Sequence, residues 1–429
     1  MKTTILVTML ATTSAAFGQE RVDRYGGALS VQGKATGFFS LARLDDRWWL
    51  VTPEGHGFVS MGVVHLRQSQ RSPLVQQRYG GDPKAFMADA AANLRAWGFN
   101  TAGYGCTYKD ALEIPEPLPY LVSIEVLFTS MWRGGEFHYD DVFDSAWQRA
   151  AREEIAAFCR PVRDDRALIG YYLTDTPAWR LKRRGEGDWL TYYRSLPADA
   201  PGKRRYVEFL VERLGSVEAV AGRYGVKADT AEGLRAATGW SIDLADRQIL
   251  ADDEAFVAVI AQEYYRLCHE AIRANDRNHL IFGDRYFDAD IPETILQAAL
   301  PYVDAIAIQP PAKAQFARPL FDKVYAVAGK PILICDFAMN FPTPEYPKVM
   351  WASFPTEDAA ADAYEAWLRD AFATPYILGV HRCTYVDQPK NVLKQGLVRL
   401  DGTPYETTVR RYAQVHRALY ERLYGWNSK

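Results

Sequence analysis

The sequence predicts an α/β fold: a single (β/α)8 TIM barrel with a small N-terminal β hairpin cap and a helical insertion after strand four. Three observations carry that reading. Eight short apolar β runs occur at 58–64, 100–105, 120–127, 168–174, 279–283, 305–309, 331–335 and 377–385. Amphipathic helical segments lie between them at 82–97, 145–159, 253–274, 292–299 and 358–373. The first run continues into Val64-His65-Leu66-Arg67 rather than a glycine-rich phosphate cradle, which argues against a doubly wound nucleotide-binding sheet.

From the amino terminus, residues 1–18 read as a secretory signal. Lys2 supplies the positive charge, residues 5–12 the apolar run, and Ala16-Phe17-Gly18 a small-x-small cleavage site. The run is too short to span a bilayer comfortably, so export to the periplasm or medium is expected rather than membrane insertion. Residues 19–57 form the expected cap, with turns at Asp45-Asp46 and Pro53-Glu54-Gly55. The barrel then fills the chain to residue 429, interrupted by the charged, helical stretch 189–250. Placed after the fourth strand, this stretch either walls the active face or is a surface elaboration.

Composition excludes several functions. Fifty Lys and Arg stand against 53 Asp and Glu, a balance unlike that of a polybasic nucleic-acid binder. The five cysteines are scattered and form no CxxC pair, so neither a disulfide framework nor a zinc cluster is indicated. The seven histidines are dispersed as well, and no metal is expected. There is no GxSxG elbow, HExxH helix, Walker loop or dinucleotide fingerprint, hence no expected cofactor.

A barrel does its chemistry at the carboxyl ends of its strands. There the sequence places His65 and Arg67, Glu125, Asp175, Asp284 and Arg285, Gln309, Asp336, and His381, Arg382 and Tyr385. Asp175 and Asp336 each terminate an apolar strand, LIGYYLTD and PILICD. For a lone Asp at a strand end, a helix N-cap or a solvated loop is the plainer explanation. Two on facing strands match the equipment of glycoside hydrolysis, in which one carboxyl protonates the leaving oxygen while the other attacks carbon or activates water.

Several segments carry a family resemblance: RWWLVTPEGH at 47–56, GVVH at 62–65, WGFNT at 97–101, DVFD at 141–144 and DQP at 387–389. In order, they resemble β-agarase-type glycoside hydrolases, specifically the agarases of glycoside hydrolase family 50, in the barrel clan of retaining enzymes. The resemblance implies secretion, a barrel and a galactan substrate. It also exposes a departure. The clan places Asn-Glu at the end of strand four, where this chain has Asp175-Thr176, and a nucleophilic Glu at strand seven, where it has Asp336. A carboxylate one methylene shorter is retracted, and such misplacement can cost on the order of 10²-fold in rate. Either Asp175 serves as acid/base with Asp336 as nucleophile or base, or the shorter pair inverts configuration, or hydrolysis has been lost. Glu125 and Asp284 are reserve candidates for the acid.

Arg67, Arg285, Lys313, His381 and Arg382 all follow strand ends and would ring the mouth with positive charge, as a sulfated or uronate-containing glycan requires. Pairing with Asp284 and Asp387 is the alternative. Trp132, Trp179, Tyr172 and Tyr385 could offer a sugar-stacking platform or serve as core, and Trp179, close behind strand four, is the preferred platform. The expectation is therefore a galactan-cleaving glycoside hydrolase using an Asp175/Asp336 pair. His65, Arg67, Trp179, Asp284, Arg285, Gln309, Lys313, Arg382 and Tyr385 would bind the polysaccharide or oligosaccharide. The alternatives are a polysaccharide lyase, with Arg285 or Lys313 neutralising a uronate and Tyr286 or His65 moving protons, and a carbohydrate-binding barrel without turnover.

Overall fold

The structure, a computed structural model, describes residues 21–105, 118–127, 139–181, 188–240, 245–287, 291–388 and 393–426. The expected signal segment, Cys106 and Trp132 lie outside them. Four antiparallel strands come first: β1 (Ala28–Gln32), β2 (Ser40–Leu44), β3 (Arg47–Val51) and β4 (His56–Phe58). Eight parallel strands then close a barrel: β5 (Ser60–Val63), β6 (Thr101–Ala102), β7 (Tyr120–Ser123), β8 (Leu168–Asp175), β9 (Leu280–Phe287), β10 (Ile306–Gln309), β11 (Ile332–Phe337) and β12 (Ile377–Arg382). Each is one of the eight apolar runs of the sequence.

Strands of a closed parallel barrel are buried on both faces, which is why these runs are continuously apolar rather than alternating. One set of side chains, including Leu121, Ile169, Phe282 and Leu333, fills the barrel interior. Phe39, Leu50 and Phe58 of the cap join that cluster. The cap is tied to the segment that enters β12, with Trp48 N donating to the Pro375 carbonyl at 2.8 Å. It therefore plugs the amino-terminal end of the barrel, leaving the carboxyl ends of the strands for chemistry.

The helices start where local chemistry caps them. Asp82, Asp144 and Thr356 accept backbone N–H groups at the starts of helices Pro83–Ala96, Ser145–Cys159 and Glu357–Phe372. The helix expected from residue 253 begins earlier, at Arg247, because Asp246 caps it, and it runs to Asn275. Helices Arg318–Ala328 and Glu406–Leu423 are additional to those expected. Between β8 and the long helix, four short helices, Trp189–Ser195, Pro201–Leu214, Val217–Tyr224 and Ala231–Ala236, occupy the insertion. A buried bidentate pair, Arg194 to Asp253 at 2.6 and 2.7 Å, ties them to the long helix. No helix among the described residues is long and apolar enough to cross a membrane.

Candidate active site

The β8–β9 register sets Asp175 opposite Arg285. Arg285 is fully buried and becomes the hub of the mouth. Its Nη1 donates to Asp175 Oδ1 at 2.7 Å, and its Nη2 to Asp336 Oδ2 at 2.8 Å and to the Cys335 carbonyl at 3.2 Å. The Tyr104 ring covers the guanidinium, with Cζ 3.6 Å from the ring centre. Stripping a guanidinium of water costs several kcal/mol, and two carboxylates with a π face offset that cost here. Gln309 Nε2 also donates to Asp175 Oδ1, at 2.9 Å. His65 Nε2 lies 3.7 Å from Asp336 Oδ2. Tyr104 donates its hydroxyl proton to Glu125, which is half-buried on the same rim.

The backbone at the mouth is constrained as well. His65 at the end of β5 and Thr176 at the end of β8 adopt left-handed conformations, with φ of 61° and 46°. Such residues cost of order 1–3 kcal/mol and collect at functional sites. Below them the His381 ring fills the barrel axis, hydrogen-bonded to Ser60 Oγ at 2.8 Å. It fits because Gly62 and Gly103 lack side chains: a Cβ on either would sit 2.5 or 2.6 Å from the ring. Burial and then the Arg285 charge hold the His381 pKa down at about 3, so the ring is neutral.

The two aspartates are biased in opposite directions. Burial raises the Asp175 pKa above the ordinary value; Arg285 opposes this, and the nearby charges of Glu125 and Asp336 reinforce it. Burial also pushes Asp336 upward, but the neighbouring His65 imidazole and the Arg285 charge outweigh that, and the net shift is downward. A site that splits two carboxyls in this way has one group disposed to hold a proton and one disposed to stay ionised.

Not every expected site residue converges there. Asp175, Asp336, His65, Arg285 and Gln309 do. Arg285, expected to grip substrate, instead directs both Nη groups at the aspartates and the Cys335 carbonyl, while its Nε is buried without a partner. Arg382 is buried beneath the mouth, donating to the carbonyls of Cys383, Thr384 and Gln395 at 2.6 to 3.0 Å and to Asn340 Oδ1 at 2.9 Å. With His381 neutral, the expected basic ring reduces to Arg67 and Lys313, both exposed.

Trp179 is no platform: it stacks on Trp189 with ring centres 5.3 Å apart, and its Nε1 donates to Asp284 Oδ2 at 2.9 Å. Asp284 is fully buried behind the barrel wall, away from the mouth, so it neither meets substrate nor serves as the acid. Tyr385 packs between Phe86 and Trp97 and accepts from Asn93 Nδ2 at 3.0 Å, on the helical side of the wall. Tyr172 is sealed in the barrel interior, and Tyr286 is buried with its hydroxyl 2.6 Å from that of Tyr265. Two residues escaped the sequence reading, Tyr104 and Cys383. Tyr104 lies in Gly103-Tyr104-Gly105 just past β6, so the strand-end rule would have found it.

The fold and the mouth together define a (β/α)8 barrel with an aspartate pair at the ends of its fourth and seventh strands, the arrangement hosted by many glycoside hydrolases. The chain has the fold of the family 50 agarases. Among solved structures, it is similar to that of the agarase AgWH50C, with a TM-score of 0.79 and 17% identity over 94% of this chain and 68% of that one. It is similar also to PfGH50B, with a TM-score of 0.81 and 16% identity over 94% and 69%. In sequence it is 19% identical over 480 residues to beta-agarase B of Vibrio sp. (strain JT0107), covering 92% of this chain and half the length of that relative. No protein-family profile matches the chain.

Proposed function

We propose that the protein is a glycoside hydrolase acting on a galactan-type polysaccharide or its oligosaccharides, with Asp336 as nucleophile or base and Asp175 as proton donor. The observation that carries this is the pair of strand-end carboxyls held on one buried guanidinium, Asp175 at 2.7 Å and Asp336 at 2.8 Å from Arg285, with opposite protonation biases beside it. Arg285 keeps Asp336 charged and fixes its separation from Asp175, while Gln309 orients the donor. The charge of Asp336, joined by that of Asp175 as it yields its proton, suits an oxocarbenium-like transition state, whose positive charge grows as the leaving oxygen departs. The likeness to proteins named as agarases supports agar-type galactan, and residues 1–18 support export.

Of the five basic residues expected to ring the mouth, Arg67 and Lys313 are exposed and could meet a sulfated or uronate-bearing glycan. The test is incubation of the purified protein with agarose, porphyran and carrageenan, following reducing ends and ultraviolet absorbance in parallel. New reducing ends without absorbance, strongest on agarose, are expected. Absorbing products would mark a lyase. Saturable binding with no products from any of the three would mark a carbohydrate-binding barrel and overturn the proposal.

A further inference from the structure

We infer that His65, Asp336 and Cys383, at the carboxyl ends of β5, β11 and β12, form a site for a zinc-class divalent cation, and that such an ion competes with the sugar for Asp336. One potential ligand atom from each residue lies within 4.8 Å of the other two. A small side-chain adjustment would bring these atoms to ordinary zinc distances, about 2.0 Å for nitrogen and oxygen and about 2.3 Å for sulfur.

A second, independent observation points to a ligand. Asp336 is only 4% exposed, and its Oδ1 is buried without a hydrogen-bond partner. Buried carboxylate oxygens are normally satisfied, and leaving one unmade is costly. Arg285 engages the opposite oxygen, Oδ2, so guanidinium and cation would share the carboxylate rather than contest one lone pair.

The donor set selects the ion. Imidazole nitrogen, carboxylate oxygen and thiolate sulfur suit borderline-soft zinc, whereas calcium and magnesium require oxygen ligands. Charge also permits it: Asp175, Asp336 and Glu125 surround the single positive charge of Arg285. Three protein ligands leave a fourth position open to water or a sugar hydroxyl. On binding, the metal–sulfur bond replaces the S–H bond of Cys383 and the proton passes to solvent, so affinity rises with pH. The consequence is reversible inhibition, since the ion occupies the carboxylate that must reach the anomeric carbon or its water. That second half rests on the hydrolase reading; binding itself does not.

Cobalt titration of the full chain tests the site directly. A near-ultraviolet thiolate-to-cobalt charge-transfer band should saturate at one equivalent and be displaced by zinc. It should be lost in Cys383→Ser, and in His65→Ala it should require at least about tenfold more cobalt. No band in the parent, or an undiminished band in Cys383→Ser, overturns the site. Should Cys383→Ser fail to fold by circular dichroism, His65→Ala decides: unchanged cobalt affinity in that variant overturns it. In the activity arm, zinc should inhibit and a chelator should restore turnover. A zinc-loaded enzyme as active as the apo form overturns the competition while leaving the band to decide binding, and a parent inactive on every glycan counts against the hydrolase reading instead.

Discussion

Asp284 and Arg285 are consecutive on β9 and face opposite sides of the barrel wall. Arg285 turns into the mouth and joins Asp175 to Asp336, whereas Asp284 turns outward and accepts four hydrogen bonds. Its donors are Thr174 N at 3.1 Å, Trp179 Nε1 at 2.9 Å, Tyr264 Oη at 3.0 Å and the Tyr265 hydroxyl. Strand alternation makes this division of labour automatic. One residue organises the charges, and its neighbour holds the chain on both sides of Asp175 against the long helix.

Arg285→Met should leave two buried carboxylates without their shared counter-charge. Removing one partner of a buried ion pair costs roughly 3–5 kcal/mol, and the loss should be visible in urea unfolding at neutral pH. Unfolding at pH 4 should show a smaller deficit, because both aspartates can then take up protons. An equal deficit at the two pH values would mean that Arg285 contributes packing rather than charge.

Asp284 makes a linkage prediction of its own. Burial raises its pKa to about 6, despite the hydrogen bonds from Tyr265, Trp179, Tyr264 and Thr174 N that pull it down. A carboxyl whose folded pKa lies above its unfolded value binds protons more tightly when folded. Stability therefore falls as pH rises from about 4 to about 6, by on the order of 2–3 kcal/mol from this group. Asp284→Asn should flatten that segment of the stability-versus-pH curve. A curve unchanged in slope would show that Asp284 titrates normally.

Two glycines should respond in opposite senses. Gly62→Ala places a Cβ 2.5 Å from the buried His381 ring, and overpacking of this kind typically costs about 1–3 kcal/mol. Gly222 lies in the helix Val217–Tyr224, and a Cβ there would meet no other atom within 4 Å. Gly222→Ala should therefore stabilise by up to ~1 kcal/mol. Thermal unfolding of the two variants beside the parent is the measurement.

The pattern of successes in the sequence reading has a physical origin. All eight strands were legible because a doubly buried strand is an uninterrupted apolar run, and Asp175 and Asp336 were legible because each breaks such a run at its end. Arg382, Trp179, Tyr385 and Asp284 went astray for a common reason. Proximity to a strand end does not say whether a side chain turns into the mouth or into the sheet–helix layer, and in a barrel both directions are buried. Arg285 was found, but its role depends on the β8–β9 register, which is a long-range property. Helix Glu406–Leu423 was within reach, since Val409, Tyr412, His416, Leu419 and Tyr420 keep helical spacing and are all buried.

The activity itself should carry the signature of the split aspartates. Asp336 must be ionised, and its pKa is held below the ordinary aspartate value, so the acid limb of kcat/KM should lie below the usual aspartate range. Asp175 must be protonated, and its pKa is raised, so activity should decline as pH rises through a value above the usual aspartate range. The profile is thus a bell displaced to the acid side. Asp175→Asn should remove the basic limb and lower turnover of the natural glycoside by roughly 10²–10⁴-fold. An activated aryl glycoside, whose leaving group departs without a proton, should lose much less. Equal losses on both substrates, with the basic limb intact, would transfer the proton-donor role from Asp175 to another group, of which Glu125 is the carboxyl nearest at hand on the rim.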